Sequence, residues 1–212
     1  LVLARESGGQ RDTAGLSLFL VGADCPGLTV RGLPTYDGRQ TAELELREVA
    51  VTAQARVGEA GLAWAAVEAA IDRATVMLCA EAVGAMDRAL TMTRDYLRTR
   101  KQFGKAITDN QVIRHRLVDM MVAIEQSRAI TEAAAHGLDS DARGRRRAVS
   151  LAKAFVSGAG RRVGEDAVQL HGAIGMTDEY EVGQCYKRLA AAANLFGDAE
   201  WHGARLAEGG AG

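Results

Sequence analysis

"RTRKQFGKAI", residues Arg98 to Ile107, closes the first long apolar-periodic stretch of the chain, and its reading decides how the rest is organised. A cluster of cations is followed at once by an amide, an aromatic ring and a glycine. Two readings compete. In the first, a long helix ends here: Arg94, Arg98, Arg100 and Lys101 suit the negative end of the helix dipole, and Gly104 supplies a left-handed terminating residue. In the second, the segment is a surface that grips a phosphate-bearing ligand, which accounts for Gln102 and Phe103, both unexplained by a plain helix exit.

On either side of this stretch the composition is that of packed helices. Both prolines, Pro26 and Pro34, lie in the first fifty residues, and none follows Ala53. The proline-free remainder is rich in Ala, Leu, Met, Arg and Glu. Helix one is predicted from near Leu62 to Arg100, with a small-residue face built on Ile71, Met77 or Leu78, Ala82, Ala85 and Ala89. Helix two follows Thr108, where Thr108-Asp109-Asn110-Gln111 matches a capping box, and carries the stripe Ile113, Leu117, Met120 and Ile124. "HGLDSDARGRRR" is expected to be a polar connection whose Arg143, Arg145, Arg146 and Arg147 form a solvated face. Helix three covers about Ala148 to Leu170. Its Gly158, Gly160 and Gly164 cost stability unless another backbone passes close by. Helix four runs from about Val182 to Leu195, with a short helical tail after Phe196.

Upstream, "LSLFLVG", "LTVRGL" and "AELELREVAV" read as about three antiparallel strands divided by Gly, Pro and Asp turn signals. The third, Ala42 to Val51, puts Leu44 and Leu46 on one face and Glu43, Glu45 and Arg47 on the other. Three such strands leave sheet edges and one face uncovered, so preceding residues or another polypeptide are expected to complete the sheet. The fold class is therefore mainly α: an antiparallel four-helix bundle over 56–212, preceded by a partial antiparallel β-domain over 1–55.

Charge and cysteines narrow the function. With 26 basic against 27 acidic residues the formal charge is -1, so no global field draws the chain to nucleic acid, and any anion site must be local. Charge-free stretches such as Thr13 to Ala23 are too short to span a bilayer. Cys25, Cys79 and Cys185 form no C-x-x-C pair and fit reduced thiols in a cytoplasm. His115, His136, His171 and His202 show no metal-ligand spacing, and no metal is expected. A second segment points to an anion. "QLHGAIG" sets Gln169, Gly172 and Gly175 at the exit of helix three, where glycines let backbone N–H groups approach a phosphate.

Together these segments resemble the flavin-dependent acyl-CoA dehydrogenases. Arg100-x-Gln102-Phe103-Gly104, then Ile107, Gln111, Ile113, Leu117 and Asp119-Met120, is similar to that family's R-x-Q-F-G-x-x-I…Q-x-I…L-A-D-M signature. Gln169 to Gly175, with Glu179-Tyr180 and Arg188, is similar to its Q-x-x-G-G-x-G…E-[YH]…R segment, with Ala173 where a second glycine is usual. The resemblance covers about residues 14 to 206. It implies FAD as cofactor, an acyl-CoA substrate, an electron-transfer flavoprotein or similar acceptor, and a homo- or hetero-oligomer, dimer or tetramer. It further implies that Arg100 reaches a neighbour's pyrophosphate, that Gln102 and Gln111 bond the cofactor, and that Phe103 packs on the adenosine. Gln169, Gly172 and Ala173 add polar and backbone contacts, while Gln111 also keeps its capping reading. The catalytic carboxylate that the family places after helix four falls here on Gly197, and a second family placement falls on Ala74. Asp198, one residue along, is the candidate base, with a helix N-cap as its alternative role. Asp72 matches a position near the substrate tail, with Arg73 beside it as ion partner.

Overall fold

The computed structural model describes residues 1–177 and 179–208. The chain forms two compact units, 1–71 and 72–212.

In the first unit, strands β1 (Val2–Arg5), β2 (Leu16–Phe19) and β5 (Arg56–Val57) form an antiparallel sheet in the order β1-β2-β5. Strands β3 (Leu28–Pro34) and β4 (Gln40–Leu46) make a separate hairpin. β1 has no clear alternation and was not anticipated; it exists because Val2 to Arg5 pair along β2, and Arg5 donates to the Ala14 and Asp12 carbonyls across the intervening loop. Gly15 (φ +78°) is obligatory there, since a Cβ would lie 2.2 Å from the Ser7 carbonyl oxygen. β4 stops at Leu46 rather than at Val51. The Arg47 amide closes the hairpin onto the Gly27 carbonyl, and Glu48 then turns into the left-handed region at φ +50°. Leu44 and Leu46 do share a face, but at 51% and 43% exposure this strand is not half-buried within the chain. The boundary read at residue 55 falls in a 3-10 turn, Ala53–Ala55, and sheet pairing resumes beyond it in β5.

The bundle follows the expected order: α1 (Trp64–Thr99), α2 (Gln111–Gly137), α3 (Ala142–His171) and α4 (Glu181–Asn194), with α5 (Ala199–Glu208) as the tail. Cys79, Met86 and Ala89 of α1 pack with Met120 and Ile124 of α2, Val156 and Val163 of α3 and Leu189 of α4. Leu78 faces inward at 5% exposure and Met77 outward at 72%, which settles the alternative left open by the periodicity. Antiparallel α1 and α4 are locked by two ion pairs at matched spacing: Glu81 with Arg188, and two turns on, Arg88 with Glu181.

Two helix starts differ from expectation. Thr108 lies inside a 3-10 turn, Ile107–Asp109, and α2 begins at Gln111 with Asn110 as its cap residue, whose side chain instead donates to the Ile107 carbonyl. No capping box forms. α3 begins six residues early because the Asp141 carboxylate accepts the Gly144 amide at 2.7 Å, a true N-cap. The arginines 143 to 147 thus ride on its first turns rather than on a connection, and Arg145 is turned inward.

Glycines 160 and 164 of α3 do what their cost demanded. A Cβ on Gly160 would meet Leu189 at 3.2 Å, and one on Gly164 would meet the Tyr186 ring at 3.0 Å and its Cα at 3.5 Å. Gly158 differs: its only neighbour is the movable Arg162 guanidinium at 3.6 Å. Urea unfolding should separate them. Gly158→Ala is expected to stabilise by roughly 0.5–1 kcal/mol through helix propensity. Gly164→Ala is expected to destabilise by about 1 kcal/mol net, because overpacking outweighs that gain.

Candidate functional site

The segment that opened the sequence reading is a helix exit followed by a hairpin. α1 ends at Thr99, and strands β6 (Lys101–Gln102) and β7 (Lys105–Ala106) pair antiparallel, closed by the Ile107 amide on the Arg100 carbonyl. Phe103 (φ +53°) and Gly104 (φ +80°) are its two turn residues. Gly104 is therefore a hairpin residue and not the helix terminator. Paired positive φ values are what a two-residue hairpin turn requires, and Asn-Gly is the usual solution. A phenylalanine in that position costs roughly 1–2 kcal/mol, and here its ring is fully exposed.

The cations around it are uncommitted. Arg88 and Arg94, earlier on α1, pair with Glu181 and Asp95. Among the described residues Arg98, Arg100, Lys101 and Lys105 have no ion pair, and all four are exposed. Gln102 and Gln111 are exposed as well, and Gln111, at the first position of α2, serves no cap.

The second segment lies at the exit of α3. Gly172 takes φ +68° and its amide returns to the Gln169 and Val168 carbonyls, with open space where a side chain would stand. Gln169 and Ala173 are exposed beside it. Gly175 serves the fold instead, since a Cβ there would come within 2.9 Å of the Val168 carbonyl oxygen. An aromatic stack brings both segments to one end of the bundle. Tyr96, whose carbonyl accepts the Arg100 amide, stacks on His171 at 4.6 Å between centroids, and Tyr180 closes on His171 at 5.0 Å. Tyr96 was missed in the sequence; its place one turn before Arg100 was the available signal.

The remaining candidates are engaged internally. Asp72 is only 1% exposed, and its two oxygens accept from Arg145 (3.0 Å) and Arg205 (2.8 Å). It is a buried hub joining α1, α3 and α5, which corrects its alternative reading as a helix-surface ion partner. Arg73 is exposed and lies 3.9 Å from Asp139, so it is not the partner of Asp72. Asp198 is exposed and accepts the Trp201 amide at 2.8 Å, the geometry of an N-cap for α5. The turn before it is held by buried polar groups that the sequence did not flag. The Lys153 ammonium donates to Ser157, to the Ala193 carbonyl and to the Gly197 carbonyl at 2.7 Å, and burial lowers its pKa. His202 bridges Ser150 and the Phe196 carbonyl, and burial pushes its pKa down to about 4. Among the described residues no group of three or more His, Cys, Asp or Glu is placed to hold a metal, and no helix is long and apolar enough to cross a membrane.

Residues 61–211 match the family model "Acyl-CoA dehydrogenase, C-terminal domain". The chain belongs to the acyl-CoA dehydrogenase family. It is 32% identical to cyclohexane-1-carbonyl-CoA dehydrogenase of Geobacter metallireducens over 189 residues, 88% of this chain and 49% of that relative. It thus spans about half the length of the curated relatives it matches. Butyryl-CoA dehydrogenase from Megasphaera elsdenii superposes with a TM-score of 0.87 at 26% identity, over 96% of this chain and 54% of that one. PigA, solved with FAD and proline, does so at 0.84 and 25% identity, covering 92% and 52%.

The glycine at 197, where the resemblance noted in the sequence led us to expect a carboxylate, has a structural reason of its own. Gly197 takes φ +98°, and a Cβ there would lie 2.6 Å from the Trp201 indole. A glutamate side chain has no room at this turn as it stands.

Two outcomes follow. Phe103→Asn should raise the unfolding free energy by roughly 0.5–1 kcal/mol in urea titrations by relieving the left-handed strain, showing that the phenylalanine is not there for stability. Because the folded-state pKa of His202 lies below its ordinary 6.5, its contribution to stability is complete above pH 6.5 and lost as pH falls towards 4. The thermal midpoint should drop over that window, and His202→Gln should flatten the drop.

Proposed function

We propose that this chain is the C-terminal half of an FAD-dependent acyl-CoA dehydrogenase, a soluble cytoplasmic oxidoreductase for the α,β-dehydrogenation of an acyl-CoA thioester. The observation that carries this reading is the convergence of the Arg100 hairpin and the Gly172 turn at one end of the bundle, tied by the Tyr96–His171 stack. The residues there fit a dinucleotide: unpaired cations, an exposed ring held at a strained turn, and open backbone at Gly172. Arg100 fits the pyrophosphate with its planar fork, Phe103 the face of the adenosine, and Gln102, Gln111, Gln169, Gly172 and Ala173 the remaining polar contacts. With FAD bound, hydride acceptance is the flavin's chemistry; this chain's part is to hold and orient. An exposed hairpin tip suits a cofactor held mainly by a neighbouring subunit, hence a dimer or tetramer. An electron-transfer flavoprotein or similar carrier is the proposed acceptor. Three free cysteines, two of them buried, support a reducing compartment.

A second reading is favoured by the α4–α5 turn: a non-catalytic subunit of a heteromeric dehydrogenase that completes its partner's FAD site. Removing an α-proton needs a carboxylate at the thioester. Position 197 is a glycine facing an indole, and Asp198, the candidate base, is occupied as a cap.

One substitution separates the two readings, since asparagine caps a helix as well as aspartate does but cannot take a proton. In the assembled enzyme, Asp198→Asn should leave the thermal midpoint unchanged. A fall of about 100-fold or more in acyl-CoA-dependent dye reduction marks Asp198 as the base, whereas unchanged turnover marks the non-catalytic subunit. Arg100→Ala should weaken FAD retention by roughly 10- to 100-fold in either case, from the loss of charge-assisted hydrogen bonds worth about 1.5–3 kcal/mol. Unchanged retention would remove the flavin reading altogether.

A further inference from the structure

His171 is 4% exposed, yet its Nε2 has no hydrogen-bond partner. Its Nδ1 lies 2.8 Å from the Ala167 carbonyl oxygen, one turn back on α3. A carbonyl only accepts, so Nδ1 carries the proton and Nε2 is a bare lone pair. The ring is enclosed by other elements. Tyr96 of α1 stacks on it with the planes 22° apart, Tyr180 leans over it ahead of α4, and Gly175 presses so closely that a Cβ there would lie 3.0 Å from His171 Cβ. Deleting this ring would remove the stacked contact between the last turn of α1 and the last turn of α3.

We propose that His171 is a positioning residue: while neutral it latches the Arg100 hairpin to the Gly172 turn, and on taking a proton at Nε2 it lets them separate. This rests on the dinucleotide-clasp reading above for its biological consequence, though the latch itself is a property of the fold. The physical reason is a mismatch in hydrogen-bonding capacity. A protonated ring has two donors and only the Ala167 acceptor, and it also carries a charge. Among the described residues the titratable groups recorded against it are Tyr96 from α1 and Tyr180 from the segment before α4, both phenols rather than carboxylates. α3 itself offers the Ala167 carbonyl, and the 3-10 turn offers Gly175. No ion pair to His171 occurs among the described residues. A buried charge with an orphan N–H is disfavoured, so the protonated ring escapes to water and the stack opens. Burial accordingly holds the His171 pKa below its ordinary 6.5. The latch is therefore closed above that pH and weakens as pH falls below it.

Hydrogen–deuterium exchange on the full chain at pH 7.5 and 5.5, corrected for the intrinsic pH dependence, tests this. In the wild type, amides in residues 93–99 and 167–171 should exchange at least ~5-fold faster at pH 5.5, both together, while those in residues 120–131 stay constant. His171→Phe keeps a stacking ring that takes no proton, and its two segments should change less than ~2-fold. His171→Gln keeps a donor for Ala167 but no ring, and both segments should already be loose at pH 7.5. Equal protection of the wild type at both pH values overturns the latch, as does acid loosening in His171→Phe as large as in the wild type. FAD retention by the assembled wild type at pH 7.5 is measured alongside. Its absence would count against the clasp alone, because the exchange result does not depend on flavin.

Discussion

The close approach of α4 to α3 is the constraint on which the bundle depends. Gly160 and Gly164 remove the side chains that would hold Leu189 and Tyr186 away, and close packing then leaves no void to absorb a change in either helix. With that distance set, Lys153 on α3 reaches the Ala193 and Gly197 carbonyls, placing a cation at the negative end of α4. The same approach seats Val182 and Leu189 in the core and aligns the two α1–α4 ion pairs. A helix interior that looks weak by propensity is the surface against which the neighbouring helices are referenced.

Polar groups inside this frame join elements to one another. Asp72 holds Arg145 of α3 and Arg205 of α5, and His202 of α5 holds Ser150 and the turn at Phe196. Such networks hold one arrangement well only when each member is satisfied. They over-determine the α4–α5 turn, where Phe196 (φ +59°) and Gly197 (φ +98°) are both left-handed. The hairpin at Phe103 is strained in the same way but has no such network. Among the described residues its ring is fully exposed and its cations make no ion pair.

The two candidate regions thus differ in character. The Arg100 hairpin is exposed and cationic, and the Gly172 turn is open at the backbone. The turn between α4 and α5 is tied down, its glycine backed by an indole and Asp198 used as a cap.

Periodicity and proline placement were enough to determine four helices, their order and the stripe from Ile113 to Ile124, because those signals are local and repeat over many turns. That the segments around Arg100 and Gly172 leave the helical pattern was also legible, since arginine, glutamine and glycines at short spacing mark them in the sequence. Helix starts were less so: Asn110 stands in the cap position where Thr108 was expected for α2, and Asp141 starts α3 six residues early, each decided by one or two local hydrogen bonds. Only the tertiary structure decided that Asp72 is buried, that Gly175 serves packing while Gly172 stays open, and that Tyr96 meets His171. Each of these depends on which residue of a distant helix arrives opposite, a long-range fact that no local pattern of residues contains.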